Sequence, residues 1–148
     1  FGKTMHSVLQ KIFEQIRTRK SLEQTDLFSA PNAKADSQKT VKECVSLEEI
    51  MKMYDQCFID EWYENDEQRD GYRKKGREIL KEYYKEIENE ILSPLFLEKE
   101  FTVRVSDNAL GKEYSLYGRI DRVDAVGEGI EIVDYKTGNP KDSLNADD

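Results

Sequence analysis

The fold is decided by two stretches, Gly118-Arg119-Ile120-Asp121-Arg122-Val123-Asp124 and Ile130-Glu131-Ile132-Val133-Asp134-Tyr135-Lys136-Thr137-Gly138. In both, apolar and often β-branched residues alternate with polar ones, and glycines lie near the ends, which is typical of β-strands. Gly127-Glu128-Gly129 lies between them and predicts a tight turn. We therefore expect the two stretches to pair as neighbouring antiparallel strands.

The second of these strands carries its charges on one face. Because side chains alternate between the two faces of a strand, one face presents Ile130, Ile132, Asp134 and Lys136. The turn would also bring Asp121 of the first strand close to Asp134. Two carboxylates that converge on a divalent cation, with a lysine beside them, are suited to hydrolysis of a phosphodiester bond.

At these residues the chain resembles the PD-(D/E)XK nucleases, and within them the RecB-like branch, which is often attached to UvrD-type DNA helicases and AddAB-type recombination nucleases. That branch has Gly-x-Ile-Asp on one strand, Asp-Tyr-Lys-Thr on the next, and a helix with a histidine far upstream. Here the histidine segment is Phe1-Gly2-Lys3-Thr4-Met5-His6-Ser7-Val8-Leu9. The resemblance covers both ends of the chain and is weak from about residue 20 to residue 92.

The resemblance implies a metal-dependent site with Asp121, Asp134 and Lys136 as the catalytic residues. Both aspartates would bind the metal, together with the main-chain carbonyl of Tyr135 and with His6 as an additional ligand. We expect Mg²⁺ or Mn²⁺, because hard cations prefer carboxylate oxygen. Lys136 would orient the attacking water and stabilise charge on the phosphate, and whether it also acts as a base stays open.

Each of these residue types also has a structural interpretation. A lone aspartate at a strand end often forms a turn, a lysine beside it often forms a salt bridge, and a single histidine at a helix border is more often a packing residue. The combination on adjacent strands favours function. Alternation places Asp124 and Glu131 on the opposite face, so we exclude them, and we expect Glu98 and Glu100 on a solvated strand face.

Basic residues offer two interpretations. Arg119 and Arg122 are equally compatible with phosphate contacts and with surface pairing to acidic residues. Residues 69–85 are rich in lysine and arginine, with tyrosines between them and glutamates at helical spacing. For that segment we favour an exposed helix face over a surface that follows phosphates, and we assign no nucleic-acid-binding residues.

Composition limits the remaining choices. The chain has 148 residues, 37% of them hydrophobic, which suffices for one modest core. No apolar run approaches the ~20 residues of a membrane span, so we expect a cytoplasmic protein without membrane contact. The net charge of −8 argues against a nucleic-acid-binding surface over the whole protein, but not against a nuclease.

Two cysteines, Cys44 and Cys57, are too few for a disulfide framework or a four-cysteine metal site. Some RecB-like relatives hold an iron–sulfur cluster with four cysteines, so we predict no such cluster here. Gly2-Lys3-Thr4 matches only the tail of a phosphate-binding P-loop and lacks the preceding glycine and strand. We therefore reject ATP binding by this segment.

Hydrophobic periodicity predicts a helix over residues 3–19, and residues 21–45 are polar enough to suggest a flexible insertion. Ser46-Leu47-Glu48-Glu49 has the spacing of a capping box and should begin a second helix. We expect that helix to bury residues as far along the chain as Trp62. A further helix should cover residues 67–92, followed by strands over residues 96–105, 114–126 and 130–137.

The expected fold class is therefore α+β: an N-terminal helix and a helical insertion packed on an antiparallel three-stranded meander, a partial PD-(D/E)XK (restriction-endonuclease-like) core. Residues 1–148 would form a single RecB-like nuclease domain. In the family, a helix with a glutamine and a tyrosine follows the lysine strand. Since residues 139–148 are polar and lack that helix, we expect a fragment without the C-terminal helix, partnered by a helicase portion of the same chain or complex.

The resemblance implies a divalent-metal-dependent (exo)deoxyribonuclease that hydrolyses DNA in repair or recombination. One alternative is a catalytically silent DNA-binding or assembly module of a helicase complex, although such a role requires neither the acids nor Lys136. Another is a carboxylate-pair hydrolase that acts on a substrate such as a glycoside. In that case the lysine would have no evident task.

Overall fold

The computed structural model describes residues 1–21, 39–107 and 111–138. Within these ranges the elements follow in the order α1 (Gly2–Ser21), α2 (Val41–Cys44), α3 (Leu47–Cys57), α4 (Asp66–Ile87), β1 (Pro94–Asp107), β2 (Lys112–Val126) and β3 (Gly129–Val133). The strands form one antiparallel sheet in the order β1-β2-β3. The predicted α+β fold, with helices followed by a three-stranded meander, is confirmed.

Helix α1 is the centre of the hydrophobic core. Its apolar residues recur at the three- and four-residue spacing that places side chains on one face of a helix, and that face is buried at Met5, Val8, Leu9, Ile12, Phe13 and Ile16. The predicted helix over residues 3–19 is confirmed within two residues at each end. Its N-terminal turns carry His6 at the edge of the buried face.

The one-turn helix α2 contributes to the same hydrophobic core. Val41, Cys44 and Val45 are fully or almost fully buried there, and the Val41 N–H donates to the Glu90 carbonyl oxygen at 2.9 Å. These residues belong to the segment 21–45 in which we expected a flexible insertion. The rest of that segment, residues 22–38, lies outside the described residues, as do residues 139–148.

A capping box begins helix α3, as predicted. The Ser46 Oγ accepts from the Glu49 N–H at 3.2 Å, and the Glu49 carboxylate accepts from the Ser46 N–H at 2.8 Å. The helix ends at Cys57 because Phe58 takes an extended conformation. Trp62 therefore lies in the loop before α4 and is 93% exposed, so the expectation that it packs on the buried side of this helix is wrong.

Helix α4 packs against α3 at a glycine. A Cβ atom at Gly76 would lie 2.7 Å from Cζ of the buried Tyr54, so only glycine lets the two helices approach this closely. The helix ends five residues earlier than the predicted Leu92. Beyond its end, the carbonyl oxygens of Glu88 and Glu90 accept from N–H groups of α2 instead of continuing the helical pattern.

Strands β1 and β2 form a long hairpin, whereas β3 pairs only with the stretch Arg122–Val126 of β2. The prediction that the third strand reaches residue 137 is wrong, because β3 ends at Val133. Beyond that point the Tyr135 N–H donates to the Asp121 side chain at 2.7 Å rather than to a strand neighbour. Asp134 and Lys136 therefore follow the strand and are not part of it.

None of the helices in the described ranges is long and apolar enough to cross a membrane. Cys44 and Cys57 are both free thiols, the first buried and the second half-buried.

Candidate active site

A histidine and two carboxylates meet where the start of α1 crosses the β1–β2 hairpin. His6 Nδ1 lies 3.4 Å from Asp121 Oδ1 and 3.8 Å from Glu98 Oε1. One ligand atom from each residue lies within 4.8 Å of the other two, and residues 1–21, 39–107 and 111–138 contain no second group of this kind. An imidazole nitrogen with two carboxylate oxygens is a donor set that suits a divalent cation. We call these three residues the triad.

Strand register brings the two acids of the triad together. Leu97 pairs with Arg122 and Lys99 with Ile120, so Glu98 lies opposite Asp121. Glu98 has a φ of +49°, in the left-handed region that costs a non-glycine residue of order 1–3 kcal/mol. Backbone strain of this kind often occurs at functional sites.

Glu98 is the member of this candidate site that the sequence analysis did not predict. We expected it to share a solvated strand face with Glu100, yet the Glu98 side chain is only 18% exposed while that of Glu100 is 80% exposed. The sequence alternation is the same for both residues. What distinguishes Glu98 is its cross-strand partner, Asp121, which depends on the register of the hairpin.

Asp121 is held from two sides. Its Oδ2 accepts the Tyr135 N–H at 2.7 Å, while its Oδ1 faces His6. The side chain is 9% exposed, so little solvent competes with these contacts. The carboxylate is therefore fixed in orientation before any ligand arrives.

Arg119 flanks the triad on the open side. Its guanidinium lies 3.3 Å from Glu98 Oε2 and 3.6 Å from Glu100 Oε1, which matches surface pairing to acidic residues, one of our two interpretations. A cavity of about 540 Å³ opens over these groups, and its lining includes His6, Glu98, Arg119 and Gly2. His6 and Glu98 of the triad are thus accessible from solvent through this cavity.

Asp134 and Lys136 pair with each other beside the triad. Lys136 Nζ lies 2.8 Å from Asp134 Oδ2, and the two side chains are 81% and 56% exposed. This contact, with a smaller contribution from the charge of Asp121, raises the pKa of Lys136, so the side chain is a cation at neutral pH. The structure thus brings His6 and Asp121 together and leaves Asp134 outside the triad.

Arg122 is buried, which makes both interpretations we gave for it wrong. It is 5% exposed, and its Nε lies 3.1 Å from Oδ2 of the equally buried Asp124. Its guanidinium carbon sits 4.0 Å from the centre of the Phe13 ring. Among the described residues, neither Asp124 side-chain oxygen has a hydrogen-bond partner, and the Arg122 Nε has none either, so this ion pair includes no well-directed hydrogen bond.

This buried arginine also fixes the segment that holds Asp121. Arg122 donates to the Tyr135 hydroxyl at 2.7 Å and to the Tyr83 hydroxyl at 3.1 Å. Burial raises the pKa of Tyr135, so its hydroxyl stays neutral in the presence of the arginine. With its side chain fixed in this way, Tyr135 presents its backbone N–H to Asp121. The role of the Tyr135 carbonyl as a metal ligand stays a prediction.

Residues 1–147, almost the entire chain, match the family described as "PD-(D/E)XK nuclease superfamily". No curated protein and no solved structure gives a significant match.

Proposed function

Because this chain belongs to the PD-(D/E)XK nuclease superfamily, whose members are generally metal-dependent nucleases, we propose that it hydrolyses DNA phosphodiester bonds with a divalent cation held by the triad. The observation that carries the proposal is the convergence of His6, Glu98 and Asp121 from three elements. The neighbouring ammonium of Lys136 supports it, since a structural role alone would not require a cation at this exposed position.

The proposed ligand set consists of the triad together with Asp134 and the Tyr135 carbonyl. A divalent cation such as Mg²⁺ or Mn²⁺ would neutralise charge on the phosphate and lower the pKa of a bound water. Support for the two additional ligands comes from the Tyr135 N–H bond, which keeps this segment against Asp121. The Asp134 carboxylate would have to rotate away from Lys136 to join the site.

Lys136 is proposed to bind the phosphate and orient the attacking water. The unperturbed pKa of a lysine, ~10.4, is far above neutral pH, so Lys136 acts as a cation and donor rather than as a base even without Asp134. Release from Asp134 would free all three N–H donors of the ammonium for substrate. The same rotation of Asp134 would thus add a metal ligand and free the lysine.

The test is cleavage of labelled DNA with Mg²⁺ or Mn²⁺ present. We expect cleavage that stops in EDTA and falls by at least about 100-fold in Asp121→Asn and Lys136→Ala, since each removes an electrostatic contribution to the transition state. Lys112→Ala, at an exposed lysine near the far end of β2, serves as the matched control. Cleavage that persists in EDTA or in both variants would refute the proposal.

We further propose that the chain belongs to the RecB-like branch and acts as an exonuclease with a helicase portion, in DNA repair or recombination in the cytoplasm. The support is the sequence resemblance, together with the position of His6 at 3.4 Å from Asp121, where the additional ligand of that branch is expected. A linear substrate should be degraded while a closed circle of the same sequence resists. Equal cleavage of both would exclude exonuclease action.

A further inference from the structure

Trp62 is an exposed aromatic side chain that packing does not explain. It is 93% exposed and adopts a φ of +75°, a conformation that is costly for a bulky residue. The chain is anchored on both sides of Trp62, because the rings of Phe58 and Tyr63 stack with their centroids 5.9 Å apart. The loop is therefore held in a strained form that directs the indole to solvent.

Trp62 borders a groove that leads to the candidate active site. It lines a cavity of about 620 Å³ whose wall also includes Gly2, Lys75 and Thr137. Lys75 and Thr137 also line a neighbouring cavity of about 380 Å³, which contains Asp134 and Lys136. We call these two adjoining cavities the aromatic groove.

The groove also adjoins the cavity over the triad. Gly2 lines both the cavity at Trp62 and the one that contains His6 and Glu98. A Cβ atom at Gly2 would lie 3.3 Å from the Thr137 Oγ1, so the backbone of α1 runs close to the segment after β3 at this point. A chain-like ligand that reaches the triad or Lys136 would thus have a path past Trp62.

We propose that the aromatic groove binds an unpaired strand of the DNA substrate, with one base stacked on Trp62 and a phosphate near Lys75. The inference rests on the proposed function and adds a substrate site to it. A base must be unstacked from its neighbours to lie on an aromatic side chain, so the groove selects single strands or frayed ends over intact duplex. Lys75 is exposed, lines the cavity and forms no ion pair among the described residues, so it is available to a phosphate.

The chemistry of the cavity at Trp62 favours nucleic acid over a protein partner. The wall around Trp62 is predominantly polar, with Gln68 and Glu64 in it, whereas the centre of a protein interface is mostly apolar. Lys75 and Glu64 give that wall little net charge, so stacking rather than phosphate neutralisation should supply most of the affinity. Salt should therefore weaken binding less steeply than it does for a strongly basic surface.

Intrinsic fluorescence can test the contact directly, because Trp62 is the only tryptophan of the 148 residues. Single-stranded oligothymidylate would be titrated in EDTA, which prevents cleavage, while the anisotropy of a label on the same oligonucleotide reports binding. We expect saturable quenching of Trp62 and protection of the indole from acrylamide, with weaker effects from a blunt duplex. Bound oligonucleotide without a change in tryptophan emission would overturn the inference and leave protein docking as the role of Trp62.

Variants give a second test through anisotropy alone. Trp62→Ala should weaken binding of the oligonucleotide about 5- to 150-fold, the loss typical of one stacked base, and Trp62→Phe should retain part of the affinity. Tyr117→Ala is the matched control, since Tyr117 is 86% exposed on β2 and lines none of the three cavities. Equal affinity in Trp62→Ala and in the control would refute the stacking site.

The two proposals can fail separately. Quenching of Trp62 by oligothymidylate without any metal-dependent cleavage would preserve the groove and refute the nuclease assignment. Normal cleavage with unquenched Trp62 would refute the groove and preserve the nuclease. Asp121→Asn should lose cleavage while keeping the quenching, since Asp121 lines neither cavity of the aromatic groove.

Discussion

His6 Nδ1 lies 3.4 Å from Asp121 Oδ1, although the two residues lie near opposite ends of the chain. This proximity depends on the core. Met5 and Leu9, on either side of His6 along α1, are almost fully buried, and the α1 helix packs against β1. The same packing that stabilises the helix thus sets the position of the imidazole against the sheet.

Glu98→Gln should weaken Mn²⁺ binding, because it removes the charge of a triad member while keeping its size. Loss of an outer partner of a metal ligand costs about 10- to 100-fold in affinity, so loss of a direct ligand should cost at least as much. Isothermal titration with Mn²⁺ measures the effect without relying on cleavage.

Glu100→Gln is the control for this change, since it lies on the same strand, contacts the same Arg119 and is 80% exposed. It should leave Mn²⁺ affinity almost unchanged. If both variants bind Mn²⁺ equally well, Glu98 is not a ligand and its strained backbone needs another explanation.

Local sequence patterns predicted most of the elements but only part of the site. The apolar spacing of α1, the capping box at Ser46 and the alternation in β2 are determined by neighbours in sequence, and each is confirmed. His6 and Asp121 were found through a motif. Glu98 was not, because its role depends on which residue lies across the hairpin rather than on its own neighbours.

The errors have a common physical origin. Trp62 follows the apolar spacing of α3, yet the chain turns out of the helix before reaching it and takes a positive φ that no local pattern indicates. Arg122 looks like a surface cation, but Phe13, Tyr83 and Tyr135 come from three distant parts of the chain to enclose it. Both outcomes are set by tertiary contacts.

Asp124→Ala should destabilise the fold strongly. Burial raises the pKa of Asp124 against the opposing effect of Arg122, so the pair is held in a poorly hydrated environment. Removing the acid would leave the Arg122 cation buried and unpaired, at a cost of about 3–5 kcal/mol in the free energy of unfolding. Urea denaturation followed by circular dichroism measures it.

The double variant Arg122→Met with Asp124→Leu separates the charge effect from packing. Replacing both ions by apolar residues of similar size should recover most of the lost stability, because neither charge then remains unpaired. A single variant as stable as the wild type would show that the pair is hydrated in solution.

Gly76→Ala should destabilise the contact between α3 and α4. The added methyl group would collide with the ring of Tyr54, whose burial raises its pKa to about 12 and whose hydroxyl donates to the Tyr72 carbonyl. Overpacking of this kind costs about 1–3 kcal/mol.

Thermal denaturation compared with Gly71→Ala gives a clean control, since an added Cβ at Gly71 meets nothing within 4 Å. The Gly71→Ala substitution should be neutral or stabilising, because alanine forms helices better than glycine does. Equal effects of the two substitutions on thermal stability would contradict the packing argument.

The capping box of α3 also joins that helix to α1. The Glu49 carboxylate accepts from the Ser46 N–H at 2.8 Å, from Gln15 Nε2 at 3.1 Å and from Arg19 at 2.7 Å. These contacts, first among them the backbone hydrogen bond from Ser46, lower the pKa of Glu49 from 4.5 to about 2. A carboxyl whose pKa is lower in the folded than in the unfolded state stabilises the fold fully above its unfolded value and loses that effect as the pH falls through the folded value.

Glu49→Gln should therefore reduce stability at pH 7 by about 1 kcal/mol, because glutamine keeps the hydrogen bonds of the box but hydrogen bonds to a charged group contribute more than neutral ones. The difference between variant and wild type should shrink as the pH falls below about 4.5 and vanish near pH 2, because the wild-type carboxyl then becomes neutral as well. Urea denaturation at several pH values measures this difference. Glu48→Gln is the control, since Glu48 is 80% exposed and pairs with the exposed Lys52, and it should change stability little at any pH. If the stability difference between Glu49→Gln and the wild type stays constant from pH 7 to pH 3, the capping box joins α1 and α3 through the shape of the Glu49 side chain and not through its charge.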